Sequence, residues 1–458
     1  MKYLSEDTIT ALSTAAGQSA IAVIRVSGNQ SFEIVQKLFH PSSNFEKQVK
    51  HGYIFDGNDK VDETLCTFFK APATYTGENL VEISVHGNPV IINKILNILY
   101  KNGVRAAAPG EFTYRAFING KKDLAEAEAV CALITSKTEI AAKAALNNVA
   151  GEFSNKVIKI KDSIIDLLAY LEASLDYPED DIPFMNTEQK QEMIVSAINE
   201  NKKLLDSYKI SKTLQKGLKA AIIGKPNSGK SSLLNAILGK NRAIVTEIAG
   251  TTTDTIEETI DCRGIPLTII DTAGLRSHTN SSIEVLGQER SKEAANKSDI
   301  LIWTFDSSLE LDKNDIIIAQ YLNTLCLNSY IIGVLNKCDL PTKINEKDIR
   351  DLGNFNIFLN VSTISGLGIA AIMDTIASYA GISDLNNEYL LINSRYFALL
   401  TEVQNSIEKA KKIVDSNGED EIACFEIRNA VTALEDILGI NTPHDILDTI
   451  FKNFCIGK

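Results

Sequence analysis

The chain has 458 residues, a formal net charge of −13 at pH 7, 44% hydrophobic residues and 23% charged residues. This balance is that of a globular protein with buried cores, and it excludes a disordered, collagen-like or membrane-bundle chain. The length suits about three domains, and no apolar run reaches the ~18 residues of a membrane span.

The cysteines and the first residues of the sequence bear on the cellular compartment. The seven cysteines include no C-x-x-C pair, which favours reduced thiols over a disulfide or zinc framework. Lys2 is followed by the acidic residues Glu6 and Asp7, and the apolar stretch at 21–24 is too short for the core of a signal peptide. We therefore expect a cytoplasmic protein that does not associate with membranes.

Residues 1–118 combine strand and helix signals. Short apolar runs rich in β-formers occur at 20–26, 64–69 and 80–85, and helical patterns occur at 31–39 and 89–100. The second helical pattern starts with a proline and is followed by Asn-Gly, which are typical helix boundaries. We predict an α+β domain in this part of the chain.

Two further segments are helical in composition. Residues 124–148 are rich in Ala, Glu, Leu and Lys, and a break at 177–183 precedes another helical stretch that ends near residue 214. After residue 381 the chain is helical again, and a tail of this length can hardly build a core by itself. We therefore predict one α-helical domain formed by residues 119–215 and 382–458, with the segment between them inserted.

The inserted segment, residues 216–381, alternates apolar strands with helical stretches. This alternation predicts a mostly parallel sheet covered by helices on both faces. The predicted fold class is therefore multidomain, with an α+β N-terminal domain, an α-helical central domain and an inserted α/β domain.

The segment from Gly224 to Ser231 fits the pattern G-x-x-x-x-G-K-[ST] and lies between a predicted strand and a predicted helix. Glycines in this pattern let backbone N–H groups turn toward phosphate oxygens at the positive end of a helix. We expect Lys230 to reach the β- and γ-phosphates as a catalytic residue and the Ser231 hydroxyl to hold Mg²⁺. The predicted phosphate-binding residues are Asn227, Ser228, Gly229, Lys230, Ser231 and Ser232.

A second motif, Asp271-Thr272-Ala273-Gly274, ends the next predicted strand. Its carboxylate can lie near Mg²⁺, and the N–H of its glycine can approach the γ-phosphate. Between the two motifs, Thr251 and Thr252 occupy the position of a switch loop, which should supply a hydroxyl to Mg²⁺. We predict that Ser231 and Thr252 hold Mg²⁺, although either threonine alone could be an ordinary loop residue.

A third motif, Asn336-Lys337-Cys338-Asp339, predicts which base is bound. The Asp339 carboxylate can accept hydrogen bonds from guanine N1–H and from the exocyclic amine, a donor pair that adenine lacks. Ser362 and Thr363 follow the last predicted strand and are expected to support the base from the other side. The order of the motifs is that of a GTPase, so the inserted domain is predicted to be a P-loop GTPase (G) domain that binds GTP.

Two absences narrow the class of GTPase. Leu275 follows the second motif, where small signalling GTPases carry a water-orienting glutamine, and residues 251–253 include no arginine. Because an arginine finger contributes a factor of about 10³–10⁵ to the rate, another cation must supply that charge. The side-chain carbonyl of Asn227 could ligate a monovalent cation, or Asn227 could only shape the turn, and the spacing leaves both interpretations open.

With these motifs in place, the chain resembles the MnmE (TrmE) family of tRNA uridine-5-carboxymethylaminomethyl modification GTPases. The resemblance runs from end to end, and its most specific part is the terminal Cys455-Ile456-Gly457-Lys458. The other matching segments are Asp7-Thr8-Ile9, Ile24-Arg25-Val26-Ser27-Gly28, Tyr75-Thr76-Gly77-Glu78, Val85-His86-Gly87, Pro109-Gly110-Glu111-Phe112, Arg115-Ala116-Phe117 and Asn119-Gly120-Lys121.

For the N-terminal domain, the resemblance implies a homodimer that binds 5-formyltetrahydrofolate or another one-carbon tetrahydrofolate. The implied folate-binding residues are Arg25, Glu82, Lys121 and Lys458, with Lys122 as an alternative to Lys121. By residue type alone, the first three of these would be ordinary surface residues. The resemblance also implies a role for the tail that ends in Cys455, whose thiol is either catalytic or simply a free thiol.

For the G domain, the resemblance implies that K⁺ is the missing cation and that G domains pair face to face. Its ligands would be Asn227, Thr246, Thr251 and the backbone carbonyl of Ile248. Glu284 matches the acidic residue that orients the attacking water, and a solvated charge at a helix start is the alternative. The implied GTP site also includes Glu247, Ala249, Gly250, Thr252, Asp271, Thr272, Ala273 and Gly274.

The activity implied by the resemblance is tRNA modification with a flavin-dependent partner protein of the MnmG (GidA) type, in a heterotetramer. The pair would add a carboxymethylaminomethyl-type group to C5 of the wobble uridine of certain tRNAs, with GTP hydrolysis opening and closing the G domains. The alternative is a ribosome-assembly GTPase that acts as an RNA-binding switch. That alternative predicts a basic appendage after the G domain, whereas the tail carries Glu419, Asp420 and Glu421.

Overall fold

The computed structural model describes residues 7–42, 49–176, 186–240, 257–271, 295–324, 329–381, 392–416 and 418–457. The chain forms two compact units. The first unit comprises Met1–Ile134, Leu146–Lys203 and Arg395–Lys458, and the second comprises Thr135–Ala145 and Leu204–Ser394. The predicted domain boundaries at residues 118, 215 and 381 remain predictions.

The N-terminal part of the first unit is a sheet with helices packed against both of its faces. Its described strands are β1 (Ile9–Leu12), β2 (Ser19–Ser27), β3 (Phe39–Pro41), β4 (Val49–Asp56), β5 (Asp59–Phe69), β6 (Leu80–Gly87) and β7 (Arg105–Ala106). Its helices are α1 (Ser31–Leu38), α2 (Pro89–Lys101) and α3 (Glu111–Ile118). The strand order is β3-β4-β5-β6-β2-β1-β7, and the neighbours are antiparallel except for β1 and β7.

Side-chain alternation decides which residues of β2 are buried. Ala22, Ile24 and Val26 are buried in one core with residues of α1 and α2, while Arg25 lies on the opposite face. Helix α2 begins after Asn88, whose side chain accepts the N–H of Val90. Helix α1 ends at Leu38, one residue earlier than predicted, because Phe39 enters the sheet opposite Ile54.

The helical segment before the insertion is divided more finely than the sequence suggests. Its described helices are α4 (Leu124–Thr135), α5 (Glu139–Val149), α6 (Glu152–Asp176), α7 (Thr187–Asp206) and α8 (Tyr208–Lys216). The helical stretch predicted over 124–148 is therefore interrupted. The Thr138 hydroxyl accepts the N–H of Ala141 at 3.3 Å and caps the start of α5.

The second unit contains a sheet covered on both faces. Its described strands are β8 (Leu218–Ile223), β9 (Glu257–Cys262), β10 (Ile265–Asp271), β11 (Ile300–Asp306), β12 (Tyr330–Asn336) and β13 (Ile357–Val361). Its helices are α9 (Lys230–Lys240), α10 (Lys313–Thr324), α11 (Glu346–Arg350) and α12 (Ile369–Tyr379). The order is β13-β12-β11-β8-β10-β9, and only β9 among these strands is antiparallel to its neighbour. The predicted mostly parallel sheet is confirmed.

The two faces of this sheet bury different sets of side chains. Ile222, Ile302 and Val334 pack on one face with residues of α9 and α12. Trp303 and Phe305 pack on the other face with residues of α10 and α11. Because both faces are covered, every residue of β11 is buried, as expected for a central strand of a parallel sheet.

The last segment completes the helical domain. Its helices are α13 (Ser394–Asp415), α14 (Asp420–Leu438) and α15 (His444–Phe451), and α14 packs along α6. The side-chain amide of Asn201 in α7 donates to the carbonyl of Leu400 in α13 at 2.9 Å. The predicted fold class, with an α/β domain inserted into a helical domain, is therefore confirmed. Among the described residues, no helix has the length and apolar character needed to cross a bilayer.

Candidate functional site

The phosphate loop, residues 224–229, joins the end of β8 to the start of α9. Gly229 has φ +95°, and a Cβ at this position would lie 2.0 Å from Nδ2 of Asn336, so only glycine fits. The Lys230 ammonium donates to the carbonyls of Gly224 and Lys225, both at 2.8 Å. The ammonium therefore lies across the loop, at the positive end of α9.

The side chains predicted to contact phosphate and metal differ in exposure. Ser231 and Ser232 are exposed in the first turn of α9, whereas Ser228 is buried. Asn227 is exposed and has φ +65°, a left-handed conformation that asparagine tolerates better than most residues. Its backbone thus suits a turn, and its side chain remains available to a ligand.

The base-binding motif meets the phosphate loop at the end of β12. Nδ2 of Asn336 donates to the carbonyl of Ser228 at 3.0 Å. The N–H of Cys338 donates to the carbonyl of Val361 at 3.1 Å, which joins this loop to the end of β13. Phosphate loop and base-binding motif therefore lie together at the carboxyl edge of the parallel sheet, where open α/β sheets bind their ligands.

The residues expected to flank the base lie at the same edge. Asp339 is exposed on the loop after β12. Ser362 follows β13 and is buried, and its hydroxyl accepts the N–H of Ser365 at 3.2 Å. Thr363 is half-buried beside it. The structure thus brings together the described members of the predicted GTP site.

Two acidic residues outside the sequence motifs, Asp306 and Asp315, form ion pairs with lysines of this site. The Lys337 ammonium forms an ion pair with Asp306, the last residue of β11, and donates to the carbonyl of Asn227 at 3.2 Å. The Lys225 ammonium pairs with the fully buried Asp315 at 2.8 Å. Burial opposes the charge on Lys225, but its acidic partners outweigh that effect and raise its pKa. Sequence reasoning could have found Asp306 from its position, because it is an acidic residue at the carboxyl end of a strand.

Several predicted site residues lie outside the described residues. They are Thr246, Glu247, Ile248, Ala249, Gly250, Thr251, Thr252, Thr272, Ala273, Gly274, Glu284 and Lys458. Asp271 is described as the last residue of β10, but its side chain is not.

A second cluster lies on the N-terminal sheet. Arg25 and Glu82 face each other on β2 and β6, and Nε and Nη2 of Arg25 lie 2.9 and 2.8 Å from Oε1 of Glu82. The guanidinium lies 5.4 Å from the ring centroid of Tyr75. Nη1 of Arg25 is buried and has no hydrogen-bond partner among the described atoms. Buried polar groups are normally hydrogen-bonded, so this unpaired N–H donor is available to a bound ligand.

A cavity of about 420 Å³ adjoins this ion pair. It is lined by Phe69, Ala73, Thr74, Tyr75, Leu80, Glu82, Lys121 and Lys122. The structure therefore places Glu82 and Lys121 in the lining of one cavity and Arg25 beside Glu82, and the folate assignment of these residues stays a prediction. Both Lys121 and Lys122 line the cavity, so the choice between them stays open.

The C-terminal tail is hydrogen-bonded to loops of the N-terminal α+β part. The carbonyl of Gly457 accepts the Ser13 hydroxyl at 3.1 Å, and the carbonyl of Cys455 accepts the N–H of Gly110 at 3.3 Å. Gly457 has φ +89°, and a Cβ there would lie 2.2 Å from the carbonyl oxygen of Leu12. Cys455 is exposed and is not among the described residues that line the cavity.

The chain matches known protein families and individual proteins along its length. Residues 8–121 match the family described as GTP-binding protein TrmE N-terminus, and residues 124–455 match the MnmE helical domain. The tRNA modification GTPase MnmE of Endomicrobium trichonymphae is 59% identical over 458 residues and covers all of both chains. The chain belongs to the MnmE family. It is therefore a GTPase of tRNA modification, and it binds GTP.

Other relatives of the MnmE family agree over the same length. The tRNA modification GTPase MnmE of Aquifex aeolicus is 38% identical over 455 residues, covering 99% of this chain and 100% of the relative. Among solved structures, the G domain of the Thermotoga maritima FeoB iron transporter is 24% identical, covers 36% of this chain and 98% of its own, and has a TM-score of 0.27.

Proposed function

We propose that this GTPase works with a flavin-dependent partner protein of the MnmG type to add a carboxymethylaminomethyl-type group to C5 of the wobble uridine of certain tRNAs. One contact supports the guanine site best, the hydrogen bond from Asn336 to the phosphate loop at 3.0 Å. This bond joins the motif that would recognise the base to the loop that would bind the phosphates. GTP hydrolysis would open and close the G domains rather than perform the carbon chemistry.

Different residues would neutralise the phosphates, hold the metal ion and orient the attacking water. Lys230 would neutralise the β- and γ-phosphates, Ser231 and Thr252 would hold Mg²⁺, and Glu284 would orient the attacking water. Asp271 and Gly274 would lie at the metal and the γ-phosphate. When bound, Mg²⁺ and K⁺ supply positive charge to the phosphate oxygens as charge develops in transfer.

Potassium is the proposed replacement for an arginine finger, with Asn227, Thr246, Ile248 and Thr251 as ligands. We expect K⁺ to accelerate GTP hydrolysis at least about tenfold over Na⁺ at equal ionic strength. The reason is that a bound K⁺ would supply much of the transition-state stabilisation that an arginine finger supplies. In Asn227→Gly, the rates in the two salts should agree within about twofold. Steady-state phosphate release measures both.

Glycine is the sharper substitution at this position because Asn227 has φ +65°, which alanine would resist. The matched control is GDP affinity, which should be unchanged in Asn227→Gly if the loop still forms. Equal rates in K⁺ and Na⁺ for the wild type would contradict the potassium assignment and favour an arginine supplied by a partner.

The cavity on the N-terminal sheet is the proposed site of 5-formyltetrahydrofolate or another one-carbon tetrahydrofolate. Glu82 can accept from the amide and amine edges of a pterin, and the unpaired Nη1 of Arg25 and the two lysines suit the carboxylates of the glutamate tail. Lys458 would extend this cationic group. When bound, the cofactor supplies a one-carbon unit.

Glu82→Gln is expected to weaken 5-formyltetrahydrofolate binding by about tenfold or more, since it removes a charge-assisted acceptor. Isothermal titration calorimetry measures the affinity. Glu63→Gln is the matched control, because Glu63 is an exposed residue on neighbouring β5 whose partner is His51. Equal affinity in both variants and the wild type would remove Glu82 from the site.

The assembly and the location complete the proposal. The N-terminal domain would form a homodimer, and the flavin-dependent protein would join it in a cytoplasmic heterotetramer that acts on tRNA. Cys455 would serve the folate-dependent step as part of the tail, with its role as a nucleophile left open.

The tRNA of a strain that lacks this gene should lack the C5 modification, and nucleoside mass spectrometry measures its presence. A nucleoside profile in the deletion strain that retains the modification at the parent's level would refute the role, and co-purification with a flavoprotein would support it.

A further inference from the structure

Asp306 is the last residue of β11 and lies beside the base-binding motif. It lies opposite Asn336 in the parallel pairing of β11 with β12, and its side chain is 3% exposed. One carboxylate oxygen, Oδ1, accepts the Ser308 hydroxyl at 2.6 Å and the Ser308 N–H at 3.0 Å. The other, Oδ2, accepts from the Lys337 ammonium. Every described contact of this carboxylate is therefore local except the one with Lys337.

Lys337 connects Asp306 to the phosphate loop. Its backbone has φ +62°, and its ammonium also donates to the carbonyl of Asn227 at 3.2 Å. The ammonium is thus held between a carboxylate on β11 and a carbonyl of the phosphate loop. Burial opposes the charge of Asp306, but Lys337 and Ser308 outweigh it and lower the pKa of the carboxyl. The Asp306 carboxyl is therefore ionised at neutral pH.

We propose that Asp306 is a positioning residue for guanine nucleotide binding and acts through Lys337. This inference rests on the proposed guanine site. A free lysine side chain loses rotamer entropy when it is ordered. Fixing the lysine before the nucleotide arrives removes part of that cost from binding. The same ion pair holds the carbonyl of Asn227, so the phosphate loop keeps its position relative to the base-binding motif.

The test is a double-mutant cycle with Asp306→Asn, Lys337→Met and the double variant, in the full chain. The probe is a fluorescent GDP, and the dissociation constant and dissociation rate are measured. We expect Asp306→Asn to weaken GDP binding about tenfold, the effect of losing a hydrogen bond to a charged group. In the Lys337→Met background, Asp306→Asn should cause no further loss. A merely structural role would instead give losses that multiply.

Two controls make the outcome specific. Ser308→Ala removes the hydroxyl bond to Oδ1 of Asp306 but keeps the bond from the Ser308 N–H, and it should change GDP affinity by less than about threefold. For GTP hydrolysis, Asp306→Asn should raise KM and leave kcat within about twofold, because only binding is affected. If Asp306→Asn does not fold, Asp306→Ser is used, since serine fits the buried position and is expected to weaken GDP to a similar extent.

The failures are distinguishable. Wild-type affinity in the folded Asp306 variant, or a multiplicative loss in the double variant, overturns the positioning role alone. If Lys337→Met binds GDP as tightly as the wild type, the guanine site itself is misassigned, and the inference falls with it.

Discussion

Replacing Asp339 with asparagine is expected to weaken GTP binding by at least about a hundredfold, because guanine presents two donors and asparagine keeps only one acceptor. Xanthine carries a carbonyl in place of the exocyclic amine, so the amide of asparagine can donate to it. The affinity for XTP should therefore rise as the affinity for GTP falls. Competition of unlabelled GTP and XTP against a fluorescent nucleotide measures both.

Asp374→Asn is the matched control for this substitution. Asp374 is also an exposed aspartate of the second unit, and its partner is Arg263 at 2.8 Å, away from the base-binding motif. Its substitution should leave both affinities unchanged. An Asp339→Asn variant that retained the preference of the wild type for GTP would show that another residue recognises guanine.

Replacing Arg115 with methionine is expected to destabilise the N-terminal sheet by about 3–5 kcal/mol, the cost of leaving buried charges unpaired. Arg115 is 5% exposed and is hydrogen-bonded to Asp7, Glu78 and the fully buried Glu111. Arg105 also pairs with Glu111 but is more exposed. Methionine fills similar space, so the loss reflects the network rather than a cavity.

The tryptophan content provides an internal control for this measurement. The chain has one tryptophan, Trp303, which is buried on β11 of the second unit. Urea unfolding followed by tryptophan fluorescence therefore reports the second unit, whereas circular dichroism reports both. Arg115→Met should shift the circular dichroism transition and leave the fluorescence transition in place. A shift of both by the same amount would mean that the two units unfold together.

The same network predicts a pH dependence. Burial opposes ionisation of Asp7, but the bonds from Arg105 and Arg115 outweigh it and lower its pKa. A carboxyl with a lowered pKa contributes stability above its unfolded value of about 3.9, and that stability is lost as the pH falls through the lowered pKa. Arg115→Met should therefore lose less stability between about pH 4 and pH 2 than the wild type. Thermal unfolding across this range checks the sign.

Much of the G domain could be predicted because its signals are local. The phosphate loop, the motif at Asn336–Asp339 and the Ser362-Thr363 pair are short stretches that each follow a strand. Parallel strands end at one edge of a sheet, so motifs placed after strands must meet there. The alternation of strands and helices therefore implied the arrangement before any coordinate was known.

The clusters that depend on strand register could not be predicted in this way. Arg25 and Glu82 are 57 residues apart, and Arg115 and Asp7 are 108 apart. The family resemblance named Arg25 and Glu82 but gave no contact between them, and Asp306 belonged to no motif. A shift of one residue along β2 would turn Arg25 into the core and separate it from Glu82.

The sequence by itself determined the order of the elements, the nucleotide motifs and the need for the last helices to join the earlier ones, since a short helical tail cannot bury its own apolar face. Only the tertiary structure decided which distant charges are partners, namely Arg25 with Glu82, Lys337 with Asp306 and Arg115 with its acids. A charged side chain carries no periodicity that names its partner. Its partner is fixed by which strands are neighbours and in what register, and that follows from the burial of the whole sheet.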